Sequence, residues 1–481
     1  MIFQRFFDET LAQTSYLIGC GATGEALVVD PNRLVDQYVA AAEAEGVRIA
    51  GVTETHLHAD YLSGTRELAA RTGARIYLSG CGTPDWQYGF ASDPAVTLLR
   101  DGDAIRVGNI TVRAEHTPGH TPEHLTFLVT DGAVASEPMG ACTGDFLFVG
   151  DVGRPDLLEK AAHVAGASEG AARELWRSLE AFKRYPDHLQ VWPGHGAGSA
   201  CGKGLSAVPQ STLGYERRYN WAFGAADEAQ FVGQVLAGQP EPPRYFGIMK
   251  RLNKEGPALL GRLPVPERLA ESRLRSLLAG PAVVVDTRPA PAYAAGHIPG
   301  ALSLPLNKNF TTWAGSLLPY DRDLYLLMAD SSAESVGRAV QNLVLIGLDR
   351  VAGYLGPEAI DLWSAEGGRL ESVTQMGPRE VSASGEGPVV VDVRAASEWE
   401  AGHIEGARHI PLPDLEARIT ELPKDREIVL HCQGGGRSAI AASLLKANGF
   451  SRVANMAGGF GAWVAAGLPV ERTTAGDGDG D

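Results

Sequence analysis

The sequence predicts a multidomain α/β protein, and three observations carry that reading. At 481 residues the chain is long enough for roughly two to four domains. Its first half alternates short apolar runs with helix-like stretches, the pattern of a layered α/β domain. Its second half contains a direct repeat. Val-Val-Val-Asp-Thr-Arg at 283–288 returns as Val-Val-Val-Asp-Val-Arg at 389–394, and Ala-Gly-His-Ile-Pro-Gly-Ala at 295–301 returns as Ala-Gly-His-Ile-Glu-Gly-Ala at 401–407. Each copy is about 100 residues, enough for a small domain and too long for a solenoid unit.

Composition narrows the function. Hydrophobic residues make up 44% and charged residues 21%, ordinary for a globular chain. The net charge of −16 leaves no excess of Lys and Arg to neutralise phosphates. Neither nucleic acid nor a membrane is therefore an expected partner. No apolar run approaches the ~20 residues of a membrane span, and residues 1–9 do not read as a signal peptide. Five cysteines in so long a chain make no disulfide framework, which points to a reducing, cytoplasmic setting with free thiols.

In order, residues 3–7, 13–20 and 25–30 read as short strands, and Asp30-Pro31-Asn32 precedes a helix over 33–45. The apolar run from Ile49 reads as a buried strand that ends in Thr55-His56-Leu57-His58-Ala59-Asp60-Tyr61. A loop at the end of a rigid strand aims three potential metal ligands with little freedom left to lose. A helix is expected from near Ser63 to Gly73. Three later stretches supply further ligands: Thr117-Pro118-Gly119-His120-Thr121, Thr143-Gly144-Asp145 and Trp192-Pro193-Gly194-His195-Gly196.

Together, in this order, the four motifs resemble the metallo-β-lactamase superfamily. The resemblance implies an αββα sandwich over 1–240 with the metal at one edge of the sheets. The superfamily loop normally reads His-x-His-x-Asp-His, and here its last position is Tyr61. A phenol stays protonated up to a pKa of ~10, so the second site of a two-metal hydrolase is expected to be empty. In the persulfide dioxygenase branch, the ethylmalonic encephalopathy protein-like dioxygenases, one iron takes the first His of the loop, the Pro-Gly-His histidine and the later Asp. Carried over, these are His56, His120 and Asp145. The implied cofactor is one mononuclear non-haem Fe(II) per chain, with zinc as the lesser alternative. Two imidazoles and a carboxylate suit Fe(II) and leave positions open, whereas zinc has no redox chemistry.

His58, Asp60, Tyr61, Arg154 and His195 are expected around these ligands rather than as ligands, orienting groups or waters. Arg154, in Gly153-Arg154-Pro155-Asp156, is read as structural ahead of substrate binding. His116 and His124 flank His120 but lie outside the motif and read as ordinary polar positions, and His163 as exposed. Cys201, on a Gly-rich stretch after His195, reads equally as a persulfide carrier or a small packing residue. Cys20, Cys81 and Cys142 read as structural.

Gly238-Gln239-Pro240-Glu241-Pro242-Pro243 is stiff and poor in donors, so 241–266 is expected to be a linker. The repeat that follows resembles the rhodanese domain in both copies, 267–372 and 373–474. The tail 475–481 alternates Gly and Asp and is expected to be disordered. The second copy carries His431-Cys432-Gln433-Gly434-Gly435-Gly436-Arg437-Ser438 after the apolar run 428–430. Backbone N–H groups of a Gly-rich loop, a helix N-terminus and Arg437 all favour a thiolate at Cys432 and would hold a persulfide there. Cys-x₄-Arg is the sulfurtransferase loop length. Cys432 and Arg437 are the expected catalytic pair, with Gln433, Gly434, Gly435, Gly436 and Ser438 as the active-site loop. In the first copy Asp330 aligns with Cys432, and 329–335 has neither thiol nor Gly-rich loop. That copy reads as an inactive rhodanese.

The whole chain resembles the multidomain persulfide dioxygenase–sulfurtransferases. The resemblance implies an enzyme of hydrogen sulfide metabolism. It would oxidise a low-molecular-weight persulfide (of glutathione, coenzyme A, bacillithiol or cysteine) with O₂ to sulfite, and pass sulfane sulfur through Cys432 to give thiosulfate. It also implies a homo-oligomer. Fusion of the two activities would raise the effective concentration of a shared intermediate. Two other readings stand beside it: a thioester hydrolase similar to glyoxalase II carrying a rhodanese module, and a sulfur carrier or scaffold.

Overall fold

The computed structural model describes residues 1–160, 166–385 and 387–472. The expectations for His163 and for the tail 475–481 fall outside the described residues. The chain divides into two compact units, Met1–Leu263 with Val344–Gly347, and Pro264–Leu343 with Leu348–Asp481.

In the first unit, one six-stranded sheet runs in chain order: β1 (Ile2–Asp8), β2 (Gln13–Cys20), β3 (Glu25–Val29), β4 (Arg48–Thr53), β5 (Arg75–Ser79) and β6 (Val96–Leu99). The second sheet holds β7 (Ala104–Val107), β8 (Ile110–His116), β9 (Leu125–Asp131), β10 (Gly140–Gly144), β11 (Gln190–Pro193) and β12 (Ser211–Thr212), ordered β12-β11-β10-β9-β8-β7. The two-residue period of strands explains how four layers form. Tyr16 and Ile18 of β2 join Val112, Phe127 and Trp192 of the second sheet in one apolar cluster. Leu17, between them in sequence, belongs to a different cluster with Tyr38 and Leu68 of two covering helices. On the far side, Leu128, Ala141 and Val191 pack against Leu175, Leu179 and Phe182 of the helix Ala167–Phe182. Helix, sheet, sheet and helix follow one another, the αββα sandwich expected. Observed helices at Asp36–Ala44 and Thr65–Thr72 sit inside the expected spans. The second ends at Gly73, whose φ of +72° makes it a left-handed C-cap.

Part of the expected linker is regular structure. Residues Phe246–Glu255 form a helix that buries Phe246, Met249 and Asn253. The Pro-rich start at 239–243 carries no helix or strand, but the apolar positions 246 and 249 lie one helical turn apart and mark a packed face.

The second unit contains two parallel sheets with one topology. Strands β13 (Glu267–Arg268), β14 (Val283–Asp286), β15 (Leu302–Ser303), β16 (Leu324–Leu327) and β17 (Val351–Leu355) are ordered β13-β17-β16-β14-β15. Strands β18 (Thr374–Met376), β19 (Val389–Asp392), β20 (Arg408–His409), β21 (Ile428–His431) and β22 (Val453–Met456) are ordered β18-β22-β21-β19-β20. The repeated sequence motifs do the same structural work twice. Arg288 pairs with Asp286 at 2.7 Å and donates to Gly296 O; Arg394 pairs with Asp392 at 2.6 Å and donates to Gly402 O. His297 stacks on Tyr293 and His403 on Trp399, each also bonded to that residue's carbonyl. Among the described residues no helix is long and apolar enough to cross a membrane.

Candidate metal centre and sulfur-transfer loop

Strand β4 delivers the loop that carries His56, and a second shell of hydrogen bonds sets its ring. The Thr55 hydroxyl donates to Asp30 Oδ2 at 2.9 Å and lies 2.9 Å from His56 Nδ1. With the hydroxyl proton committed to Asp30, His56 Nδ1 is the donor, and Nε2 is left free as a ligand atom. His120 resolves in the same way. Its Nδ1 lies 3.0 Å from Arg154 O, a carbonyl that can only accept, so its Nε2 is also free. Asp145 follows β10, and its carboxylate stands 3.9 Å from His56 Nε2 and 3.5 Å from His120 Nε2. One ligand atom from each of the three lies within 4.8 Å of the others.

The chemistry of this donor set fits a divalent metal. Both Asp145 oxygens are buried without a hydrogen-bond partner, a costly state for a carboxylate unless a cation satisfies it. Burial first, and then the neighbouring histidines, hold His56 well below the usual imidazole pKa. Burial likewise lowers His120, against the pull of Asp145. Both rings are thus neutral, the form that coordinates a metal.

His58 is outside this group. Its Nε2 lies 3.1 Å from Asp30 Oδ1. Burial works against its charged form, but Asp30 overcomes this and raises its pKa to about 9. A charged imidazole paired with a carboxylate orients the loop, and its Nδ1 is buried without a partner. Tyr61 is also turned away. Its hydroxyl donates to Asp30 O at 3.3 Å and accepts from Gln13. Arg154 is fully buried, forks onto Asp156 at 2.7 and 2.6 Å, and donates to Ala200 O. It is structural, and its own carbonyl aims His120.

Asp60, His195 and Cys201 converge as a second group, again with ligand atoms within 4.8 Å. His195 Nε2 is 3.2 Å from Asp60 and 3.5 Å from Asp145, while Nδ1 is bonded to Ala12 O. Cys201 is 2% exposed, and burial first, then the nearby Asp145 and Asp60 carboxylates, push its thiol pKa well up. The expectation of an empty second position took only the missing imidazole into account. The fold brings a thiol there instead, from a stretch whose sequence gave no sign of its direction.

Several residues at this centre escaped the sequence reading. Asp30 and Ala12 are the two non-glycine residues with positive φ among those described, at +53° and +50°, and both support the site. Asp30 receives the Thr55 N–H at 2.6 Å as well as Thr55 and His58 side chains. Strain of this kind collects where a structure holds functional groups. His124, read as an ordinary polar position, is fully buried. Its Nε2 accepts the Asp145 N–H at 3.2 Å and its Nδ1 meets Thr117, so it fixes the peptide that carries the Asp. Glu123 accepts from Leu57 N at 2.8 Å. Asn253, from the helix in the expected linker, donates to His58 O and Tyr61 O, each at 2.8 Å. Asn253 lies 195 and 192 positions from the residues it supports, and no local pattern announces it.

In the second unit β21 delivers Cys432 to the N-terminus of the helix Gly436–Ala447. Gly435 N donates to Cys432 Sγ at 3.1 Å and the Ser438 hydroxyl approaches it at 3.5 Å. Gly435 has φ of +95°, which lets the loop curl back over the sulfur. Arg437 lines the same space as Cys432 and is held by Glu398 through contacts of 2.5 and 2.7 Å. Gln433 is tied to Arg394, and Gly434 and Gly436 line the space over Cys432. In the first copy, Leu327 pairs with Asp286 as His431 pairs with Asp392, so the sheet register places Met328, and not Asp330 as the sequence alignment expected, where Cys432 stands; Asp330 lies two residues further along the loop. Ser332 and Ser335 bond its carboxylate, so the loop is closed on itself and holds no nucleophile.

The metallo-beta-lactamase superfamily model matches residues 9–195, and the rhodanese-like domain model matches 271–359 and 379–466. A probable metallo-hydrolase of Burkholderia pseudomallei strain 1710b is 31% identical over 220 residues, covering 40% of this chain and 72% of that protein. The chain belongs to the metallo-β-lactamase superfamily. Two rhodanese-like domains follow its metallo-β-lactamase domain. The crystal structure of a metallo-beta-lactamase from Staphylococcus aureus subsp. aureus COL is similar at TM-score 0.68 and 43% identity, covering 74% of this chain and 99% of that one. Hydroxyacylglutathione hydrolase of Rhodospirillum rubrum is 31% identical over 185 residues, but the match spans only 37% of this chain and 60% of that enzyme.

Proposed function

We propose that this chain is a mononuclear non-haem Fe(II) persulfide dioxygenase coupled to a rhodanese sulfurtransferase. The observation that carries the reading is the group His56, His120 and Asp145, with His58 paired to Asp30 and Tyr61 turned onto a carbonyl. Two imidazoles and one carboxylate leave positions open for substrate, and iron there supplies redox chemistry that zinc lacks.

The protein's own groups do the rest. Thr55 and the Arg154 carbonyl hold two ring nitrogens in the coordinating tautomer. His124 holds the Asp145 peptide. The shell of buried side chains keeps bulk water away from a reactive sulfur. Persulfide, O₂ and one water give the thiol, sulfite and two protons, with both oxygen atoms of O₂ on the outer sulfur. At Cys432, sulfite attacks the outer sulfur of a cysteine persulfide, and the electron pair of the broken bond returns to Sγ, giving thiosulfate. The Gly435 N–H, the Ser438 hydroxyl and Arg437 stabilise the thiolate that leaves.

Anaerobic purification with metal analysis, followed by O₂ uptake on adding glutathione or coenzyme A persulfide, tests the proposal. About one iron per chain and persulfide-dependent uptake are expected, and Asp145→Ala loses both. The second donor group, Asp60, His195 and Cys201, favours the rival reading, a two-metal thioester hydrolase. Two zinc ions per chain, thioester hydrolysis and no O₂ uptake after iron reconstitution would replace the proposal with that reading.

A further inference from the structure

Cys432 opens onto a cavity of about 590 Å³ that both rhodanese copies line. The second copy contributes Cys432, Arg437 and Ile440; the first contributes residues that follow β14, β15 and β16, the same strand ends that build the sulfur loop in the second. The packing that brings them together is specific. The helix Gly436–Ala447 lies on β15, and Ser303 N donates to Ser443 Oγ at 3.0 Å with both residues buried. The inactive loop, with Asp330 and Ser335, therefore faces the working one.

Size and polarity describe the ligand. A volume of this order falls in the range of about 300–1,000 Å³ that suits an organic molecule, far more than a thiosulfate or cyanide ion needs. The buried lining is apolar, with Leu304, Phe310, Met328 and Ile440 beside the buried sulfur, whereas Asn307 and Arg338 are exposed. Two cations line the cavity. Arg437 is committed to Glu398. Arg338, on the helix Ala333–Val344, is exposed and makes no contact ion pair among the described residues, although its charge reaches Asp330 and helps to lower that carboxyl. Asp330 is already satisfied by Ser332 and Ser335, which hold its carboxyl down at about 2, and it repels a bare dianion.

We propose that the first rhodanese copy is the recognition wall for the organic thiol that exchanges sulfur with Cys432, and that Arg338 binds that thiol's carboxylate. The inference rests on the sulfur-transfer reading of Cys432 and gives the inactive copy a role in selectivity. In the exchange, the acceptor thiolate attacks the outer sulfur of the Cys432 persulfide. A new S–S bond forms to the acceptor, and the pair from the broken bond returns to Cys432 Sγ. Arg338 is a positioning residue that takes no part in the bond changes.

The test uses the full chain loaded at Cys432 with thiosulfate and then mixed rapidly with glutathione, which is anionic, or 2-mercaptoethanol, which is neutral. Arg338→Glu should lower the rate constant for glutathione at least about tenfold relative to that for 2-mercaptoethanol, and Arg338→Lys should restore most of the ratio. A wild-type ratio in Arg338→Glu, or an equal loss for both thiols, would overturn the proposal while the Cys432 reading stands. Failure of the wild-type chain to load or discharge sulfur at Cys432 would remove that reading and the inference together.

Discussion

Tyr61 shows how one side chain limits the chemistry of a fold. Its hydroxyl satisfies a carbonyl and a glutamine instead of a metal, so Tyr61→Phe is expected to keep its metal content while losing about 1 kcal/mol of stability, read by metal analysis beside a denaturation midpoint. His431 makes a pH prediction. It is buried next to Cys432 with neither ring nitrogen hydrogen-bonded. Burial chiefly depresses its pKa to about 4 from the usual 6.5, with Asp392 opposing. Above pH 6.5 the ring is neutral in folded and unfolded chains alike. Below that, the unfolded chain takes up a proton that the folded one refuses, so stability falls between about pH 6.5 and 4 and then levels off. Melting at pH 7 and pH 4.5 should show a drop for the wild type that is smaller in His431→Gln. The candidate ligands His56, His120 and Asp145, which the fold brings together, and the proposed nucleophile Cys432 were legible at this scale because each lies in a short motif. Asp30, Asn253 and Glu398 were not, because their roles depend on partners far away in the chain.

At the scale of elements, the apolar runs at 3–7, 13–20 and 25–30 were legible as β1, β2 and β3, whereas the order of strands in the sheets was not, since pairing partners lie far apart in the chain. The helix Phe246–Glu255 was lost behind a proline-rich start, although its amide at Asn253 supports two carbonyls of the metal loop. Helix-to-loop fit is also tight at Gly119. Its φ is +143°, and a Cβ there would sit 2.4 Å from the Leu175 Cβ and 2.5 Å from its Cα. Gly119→Ala must push the helix Ala167–Phe182 away or twist the loop that holds His120. A loss of about 1–3 kcal/mol and reduced metal content are expected; an unchanged melting point with full metal would mean that this contact yields without cost.

For the whole molecule, two chemistries on separate centres should be separable by single substitutions. Asp145→Ala is expected to abolish O₂ uptake and leave thiosulfate:cyanide sulfur transfer. Cys432→Ser should do the reverse, with sulfite accumulating in place of thiosulfate. Product analysis by ion chromatography reads both, and equal thiosulfate from Cys432→Ser would break the relay. The domain order was legible because each domain brings its own motifs. The cavity over Cys432 was not, since it needs two copies of a repeat placed face to face, and nothing in a repeat says how its copies meet.

The burial of Cys201 bears on how long such an enzyme lasts. A thiol 2% exposed is shielded from oxidants in solution, yet it groups with Asp60 and His195 beside the carboxylate that would hold the iron. Its oxidation to sulfinic acid should then count catalytic cycles and not hours in air. Chains that have turned over many persulfides would carry the added oxygen mass at Cys201, while chains merely stored aerobically without substrate would not. Such a protein wears out by working, and its useful life is set in turnovers.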